Sequence, residues 1–177
     1  MLRIAAGCIA LASLTLLTRS PAEFQTSVID VGVVVENLER SVEFYTKSLG
    51  MAEVPGFSVP ADFCSRAGLT DSHALTVRVL VAGEAEGATK LKLMELPAAK
   101  PKKADHAFVH SQLGMSYLTL HVSDLSAILK RMKQQGHAVL AEGPVPLNPA
   151  EPQGTNLALV RDPDGNLVEL LGPMDVR

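Results

Sequence analysis

Two stretches of the chain repeat one pattern of hydrophobic and polar positions. In the first, the β-branched run at residues 28–35 is apolar on both faces, which predicts a buried strand. Asn37 follows as a helix cap, apolar residues recur along one face of the predicted helix, and Gly50 is placed to end it. The pattern therefore predicts a buried strand followed by a capped amphipathic helix.

The second stretch begins at residue 117. Residues 117–122 have a strand pattern, Asp124 is placed to cap the next helix, and a glycine ends that helix. Val35 and Val122 are 87 positions apart, and so are Asn37 and Asp124. A constant separation of this kind indicates an internal repeat.

Each strand-and-helix unit is followed by further strand-like segments, so both units are predicted to be βαβββ modules. These segments are residues 74–81 and 89–96 in the first unit and residues 138–145, 156–161 and 167–171 in the second. Residues 162–165 (Asp-Pro-Asp-Gly) predict a tight turn between the last two strands. The fold class is therefore α+β, with modules at about residues 28–97 and 114–173 and a linker at about residues 98–113.

Residues 1–22 have the layout of a secretory signal peptide and are set aside from the fold. Arg3 gives a positive start, residues 4–17 are apolar or small, and Ser20 and Ala22 occupy the small-residue cleavage positions. The apolar stretch is shorter than the roughly 20 residues that a transmembrane helix needs. We therefore expect export to the periplasm or the extracellular space, with an uncleaved membrane anchor as the alternative. The folded domain then comprises residues 23–177.

The mature protein is expected to begin near Glu23, because small residues follow the short apolar stretch. N-terminal mass spectrometry of the exported protein measures this directly. Recovery of residues 1–22 on protein from a soluble cytoplasmic pool would contradict the prediction.

The composition is that of a globular protein. Apolar residues make up 47% of the chain and charged residues 20%, which favours neither disorder nor a fibrous class. Loss of Arg3 and Arg19 with the leader changes the formal charge from −3 to −5, so no nucleic-acid partner is expected. Cys8 leaves with the same segment. Cys64 then has no partner for an internal disulfide and is expected to be a small buried apolar residue.

The segments VGVVVENLERSVEFYTKSLGM and LALVRDPDGNLVELLGP resemble the opening and closing signatures of the vicinal oxygen chelate superfamily. This superfamily includes glyoxalase I, methylmalonyl-CoA epimerase, extradiol dioxygenases and bleomycin-resistance proteins. The resemblance covers most of residues 28–173. It implies the glyoxalase/bleomycin resistance/dioxygenase fold, in which two βαβββ modules form a cupped sheet cavity, usually with a divalent metal at its base. Homodimers are common among such proteins.

The resemblance also implies where metal ligands would lie. In relatives, the first and last strands of each module supply one ligand apiece, usually histidine, glutamine or glutamate. In this chain the four positions are Asp30, Lys92, Tyr117 and Glu169. Only Glu169 is a residue type that is usual for the family.

Lys92 argues against a metal at these positions, because a protonated lysine has no lone pair and repels a cation. Glu95 is three residues further along the same strand, so its side chain points to the opposite face unless a bulge intervenes. Asp30 and Glu169, completed by water, remain an alternative site for a weakly bound hard ion. We expect no cofactor, and we expect Lys92 to lie within salt-bridge reach of at least one of the two carboxylates.

Three interpretations of this cluster remain open. In the first it is a purely structural ion cluster, and in the second the cavity binds a small molecule without metal. In the second case His121 lines the cavity as well, because it shares strand parity with Tyr117. The third is a lyase or isomerase of the glyoxalase type, with Lys92, Tyr117 and Glu169 as candidate catalytic residues. Arg78, which interrupts an apolar strand, either receives an anionic substrate or faces outward.

Overall fold

The computed structural model of the protein describes residue 26, residues 28–83 and residues 87–174, so the predicted leader lies outside the described residues. Within these residues the chain forms two four-stranded mixed sheets, ordered β1-β4-β3-β2 and β5-β8-β7-β6. The first sheet contains β1 (Val31–Val34), β2 (Ala52–Val59), β3 (Leu75–Val81) and β4 (Lys90–Met94). The second sheet contains β5 (Tyr117–His121), β6 (Val145–Pro146), β7 (Thr155–Arg161) and β8 (Leu167–Pro173).

Three α-helices and two shorter helical turns connect the strands. Helix α1 (Leu38–Glu43) continues as a π-helical turn (Phe44–Ser48), α2 (Ala61–Ala67) joins β2 to β3, and α3 (Leu125–Gln134) follows β5. A 3₁₀ turn (Pro97–Ala99) follows β4. No helix in the described part of the chain is long and apolar enough to cross a membrane.

The predicted internal repeat is confirmed at the level of single hydrogen bonds. Val35 donates its backbone N–H to the strand beside it at 2.8 Å, and its repeat partner Val122 does the same at 2.8 Å. The Asn37 side chain accepts the N–H of the third residue after it at 2.9 Å, and the Asp124 side chain does so at the same distance. The predicted fold class, two βαβββ modules, is therefore correct.

Two segments differ from the sequence-based prediction. The strand predicted at residues 138–145 is only a two-residue pairing at Val145–Pro146, together with an isolated bridge at Val139. The Gly143-Pro144 pair explains the shortening, because proline lacks the donor that a sheet ladder needs. Strand β2 and helix α2 were not predicted. Strand β2 contains a proline, is mostly exposed and is bulged beyond Val54, which removes the alternating signal by which strands are recognised.

A single large core joins the two modules. It includes β-strand residues from both sheets and the buried faces of α1, the π-helical turn and α3. The π-helical turn of the first module also contacts the residues that follow α3, since the rings of Phe44 and His137 meet edge to face with centroids 4.9 Å apart. A second, smaller core lies under α2, where Cys64 is fully buried against Leu75, Val77 and Val79. The predicted buried, unpaired state of Cys64 is correct.

A buried polar network also crosses between the modules. The Tyr45 hydroxyl donates to the Asp162 carboxylate at 3.0 Å, and Asp162 lies in the turn between β7 and β8. The same carboxylate accepts the backbone N–H groups of Asp164 and Asn166 and the Asn166 amide, at 2.8–3.0 Å. Burial, reinforced by Asp162, raises the pKa of Tyr45 well above its usual value. The phenol therefore stays protonated while the protein is folded.

Candidate functional site

Lys92 lies on the face of the first sheet that is turned away from the large core. Its neighbours along β4, Leu91 and Leu93, are buried in that core, and side chains alternate across a strand. Val79 of β3 and Gly32 of β1 are its cross-strand partners. Lys92 is therefore held on the strand face that the resemblance assigns to the cavity.

Lys92 forms an ion pair with Asp30. Its ammonium lies 2.7 Å from the Asp30 carboxylate, and the two side chains are 31% and 34% exposed. Gly32 lies opposite Lys92 on the neighbouring strand and two residues after Asp30, and it has no side chain that could separate the two charged groups. The hydrogen bond from Lys92 lowers the pKa of Asp30 and outweighs the raising effect of partial burial. Asp30 is therefore a carboxylate at neutral pH, already paired with a cation.

Glu169 occupies the equivalent position in the second module and has a different partner. It is the cross-strand neighbour of Thr119, as Lys92 is of Gly32. The Thr119 hydroxyl donates to Glu169 at 2.9 Å. The repeat therefore places Thr119 where the first module has Gly32. Each module forms its own polar pair, Asp30 with Lys92 and Thr119 with Glu169.

The structure does not join these two pairs. In the described part of the chain Lys92 is ion-paired with Asp30 and makes no salt bridge to Glu169. The prediction that Lys92 lies within salt-bridge reach of at least one of the two carboxylates is confirmed for Asp30, while Glu169 accepts a hydrogen bond from a hydroxyl on its own sheet.

The predicted site residues also line different pockets. Tyr117, a residue that is 48% exposed, lines a pocket of about 320 Å³ between β1 and β5. His121 lines a second pocket of about 620 Å³ beside α3, and Asp30 a third of about 670 Å³ beside β2. Lys92 and Glu169 line none of these three.

Two further side chains have structural partners on the core-facing side. Glu95 accepts the backbone N–H of Leu38 at 3.1 Å, at the first turn of α1, so it lies opposite Lys92 as predicted. Arg78 donates to both Glu39 and Glu53, and this pairing lowers the pKa of Glu53. Because its guanidinium is already shared by two carboxylates, Arg78 is not a receptor for an anionic substrate.

The residues at the family's ligand positions do not fit a divalent metal. At the two positions of the first module, the Lys92 ammonium is bonded to Asp30 and occupies its carboxylate. At the two positions of the second module, the Glu169 carboxylate and the Tyr117 phenol are the groups that could supply oxygen ligands. No group of three or more histidine, cysteine, aspartate or glutamate side chains is close enough to hold an ion within residues 28–83 and 87–174.

Two residues of these surfaces were not predicted from the sequence. Thr119 is the partner of Glu169, and its position between Tyr117 and His121 on one strand face was the signal that it belonged to this surface. His106 lies in the linker and was not a candidate, because no ligand spacing surrounds it. The structure places it in the wall of the 320 Å³ pocket.

Two βαβββ modules that share one core, each with a polar pair on its strand face, define a two-module α+β protein. The sequence model of the Glyoxalase/Bleomycin resistance protein/Dioxygenase superfamily matches residues 27–170. The chain belongs to this superfamily. A comparison with curated protein sequences returned no significant match.

Solved structures support the same fold. A glyoxalase family protein from Bacillus cereus is 21% identical, with a TM-score of 0.70, and the match covers 88% of this chain and all (100%) of that one. An antibiotic-binding protein from a Streptomyces species is 22% identical, with a TM-score of 0.53 and coverage of 84% and 96%. A maize glyoxalase I mutant is 20% identical, with a TM-score of 0.57, and the match covers 84% of this chain and 45% of that one. At these identities the likeness shows the fold alone.

Proposed function

We propose that the protein binds a small molecule without the help of a metal ion. The observation that carries the proposal is the 2.7 Å contact between Lys92 and Asp30, at positions where relatives place metal ligands. A cation entering this site would have to displace an ammonium of the same sign, which costs electrostatic energy before any ligand bond forms.

The pairing also leaves functional groups for a ligand. Asp30 uses one of the three ammonium donors of Lys92, and the lysine side chain is 31% exposed. On the second sheet, Tyr117 is the repeat partner of Asp30, and it is an exposed residue with a phenol hydroxyl. An ion pair without net charge and a phenol on an open strand face suit hydrogen bonding to an organic molecule better than coordination of an ion.

Titration of the chelator-treated protein with zinc, nickel and manganese tests the metal-free part of the proposal. Calorimetry is expected to show no saturable one-to-one binding, because a lysine occupies a ligand position and no lone pair replaces it. Tight stoichiometric binding, with ligands assigned to Asp30 and Glu169, would overturn the proposal. It would make a metal-dependent lyase or isomerase of the glyoxalase type the leading alternative.

A further inference from the structure

We propose that the pocket between β1, β5 and the segment at residues 105–116 is the binding site for a neutral, ring-containing molecule that carries a carbonyl oxygen. The inference goes beyond the proposed function, because it assigns a ligand class to a second site, which lies under the linker and is separate from the strand face that carries Lys92. Its volume of about 320 Å³ suits a molecule of one or two rings.

The floor of the pocket is apolar. It is formed where the edges of the two sheets approach each other, and part of it belongs to the large core. The apolar side chains are Val31, Val33, Leu91, Leu118, Leu167 and Val168. Such a surface favours a flat hydrocarbon framework, because each apolar contact removes both partners from water.

The segment that walls the pocket is held in place by Arg161. Its guanidinium donates to the backbone carbonyls of His106 and Ala107, at 2.6 and 2.9 Å, and to that of Gly165 at 2.9 Å. Gln112 closes the segment on itself by accepting the backbone N–H of Asp105 at 3.1 Å. The wall is therefore built before a ligand arrives, which lowers the entropic cost of binding.

The hydrogen bonds of Gln112 and Asn166 determine which side-chain atoms of the pocket can still bind a ligand. Because Gln112 uses its amide oxygen for Asp105, its amide NH₂ faces His106 Nδ1, at 3.4 Å, and must be the donor there. With Nδ1 accepting from Gln112, the other ring nitrogen of His106, Nε2, is the one that donates, and it makes no hydrogen bond to any described residue. Asn166 likewise donates its amide to Asp162, which leaves its side-chain oxygen as an acceptor. The pocket offers a donor for a carbonyl and an acceptor for a hydroxyl or amine.

The lining residues include no aspartate, glutamate, lysine or arginine. A charged ligand would lose hydration on entry and gain no counter-charge, so the pocket selects against ions. This distinguishes it from the Lys92 and Asp30 pair, which suits an anionic or strongly polar group.

Fluorescence titration with prodan, a neutral naphthyl ketone whose emission reports polarity, tests the inference. We expect saturable binding with a blue-shifted emission. His106→Phe keeps the size of the side chain but removes the donor, and it should weaken binding about tenfold, as loss of one hydrogen bond predicts. His106→Gln keeps a donor and should retain most of the affinity. His110→Phe, in the same segment but outside the pocket lining, is the matched control and should bind as the wild type does.

Lys92→Ala tells the two sites apart, because it removes a binding group of the proposed strand-face site and no group of the pocket lining. Prodan that is bound in the pocket should therefore keep its wild-type affinity in this variant. Absence of saturable binding by the wild type, or equal effects of His106→Phe and His110→Phe, would overturn the inference. Affinity that falls with Lys92→Ala and not with His106→Phe would also overturn it, while the proposed binding function would stand with its site at the strand face.

Discussion

Replacing Asp162 with alanine should lower the free energy of unfolding by about 3–5 kcal/mol, a large part of the stability of an ordinary domain, because it leaves several buried donors unsatisfied. The Asp162 carboxylate is only 5% exposed and accepts four hydrogen bonds. Alanine would leave a buried phenol, an amide and two backbone N–H groups without an acceptor. Urea unfolding followed by circular dichroism measures the change.

Two further variants make the test specific. Tyr45→Phe removes one donor and keeps the ring, so it should cost about 1–2 kcal/mol. Asp71→Ala removes an aspartate whose side chain is 92% exposed and should change stability by less than about 0.5 kcal/mol. An Asp162→Ala protein as stable as the Asp71→Ala control would show that the network does not hold the modules together.

The buried hydroxyl of Tyr45 also makes the free energy of unfolding depend on pH in the alkaline range. Because the pKa of Tyr45 is higher in the folded than in the unfolded protein, its contribution is fully present below the unfolded value of about 10 and is lost as the pH rises above it. Tyr45→Phe is therefore expected to be less stable at neutral pH but to lose stability less steeply above pH ~10.

Lys92→Glu should create metal affinity that the wild type lacks. The substitution removes the ammonium beside Asp30 and puts a second carboxylate on the same strand face, opposite Gly32. The substitution makes the local charge more negative by two units, and the ion carries two positive charges. At about 4 Å in water the Coulomb attraction therefore gains about 4 kcal/mol, which corresponds to about 1000-fold tighter binding. Calorimetric titration with zinc, nickel and manganese compares the two proteins.

Lys130→Glu is the matched control for this comparison. Lys130 lies on α3 of the second module and makes the same change in net charge. It is exposed and does not occupy a family ligand position. Equal gains for the two variants would mean that general surface charge, rather than the position of Lys92, determines metal affinity.

Sequence reasoning predicted the elements that carry strong local signals. The caps Asn37 and Asp124 were recognisable because a side-chain oxygen at the start of a helix accepts a free backbone N–H. The turn before β8 was recognisable because its positive φ favours glycine. Strand β2 was missed for the opposite reason. Its proline, glycine and bulge are read locally as a turn, and only pairing with β3 makes it a strand.

The candidate site was predictable in its residues but not in its grouping. Alternation along a strand assigned Lys92 and Glu95 to opposite faces correctly, because it depends only on local geometry. Which carboxylate Lys92 pairs with depends on the distance between two sheets, and no spacing in the sequence encodes that distance. Thr119 was therefore overlooked as the closer partner of Glu169.

The shared core has a consequence for how the chain folds. Each module buries its helical segment partly against the other module, and Tyr45 of the first finds its acceptor only in the second. A half-chain ending in the linker would expose that apolar surface and keep an unsatisfied phenol, so neither half is an autonomous folding unit. The duplicated architecture therefore unfolds as one cooperative unit, and a cut in the linker would yield fragments that become structured only by complementing each other.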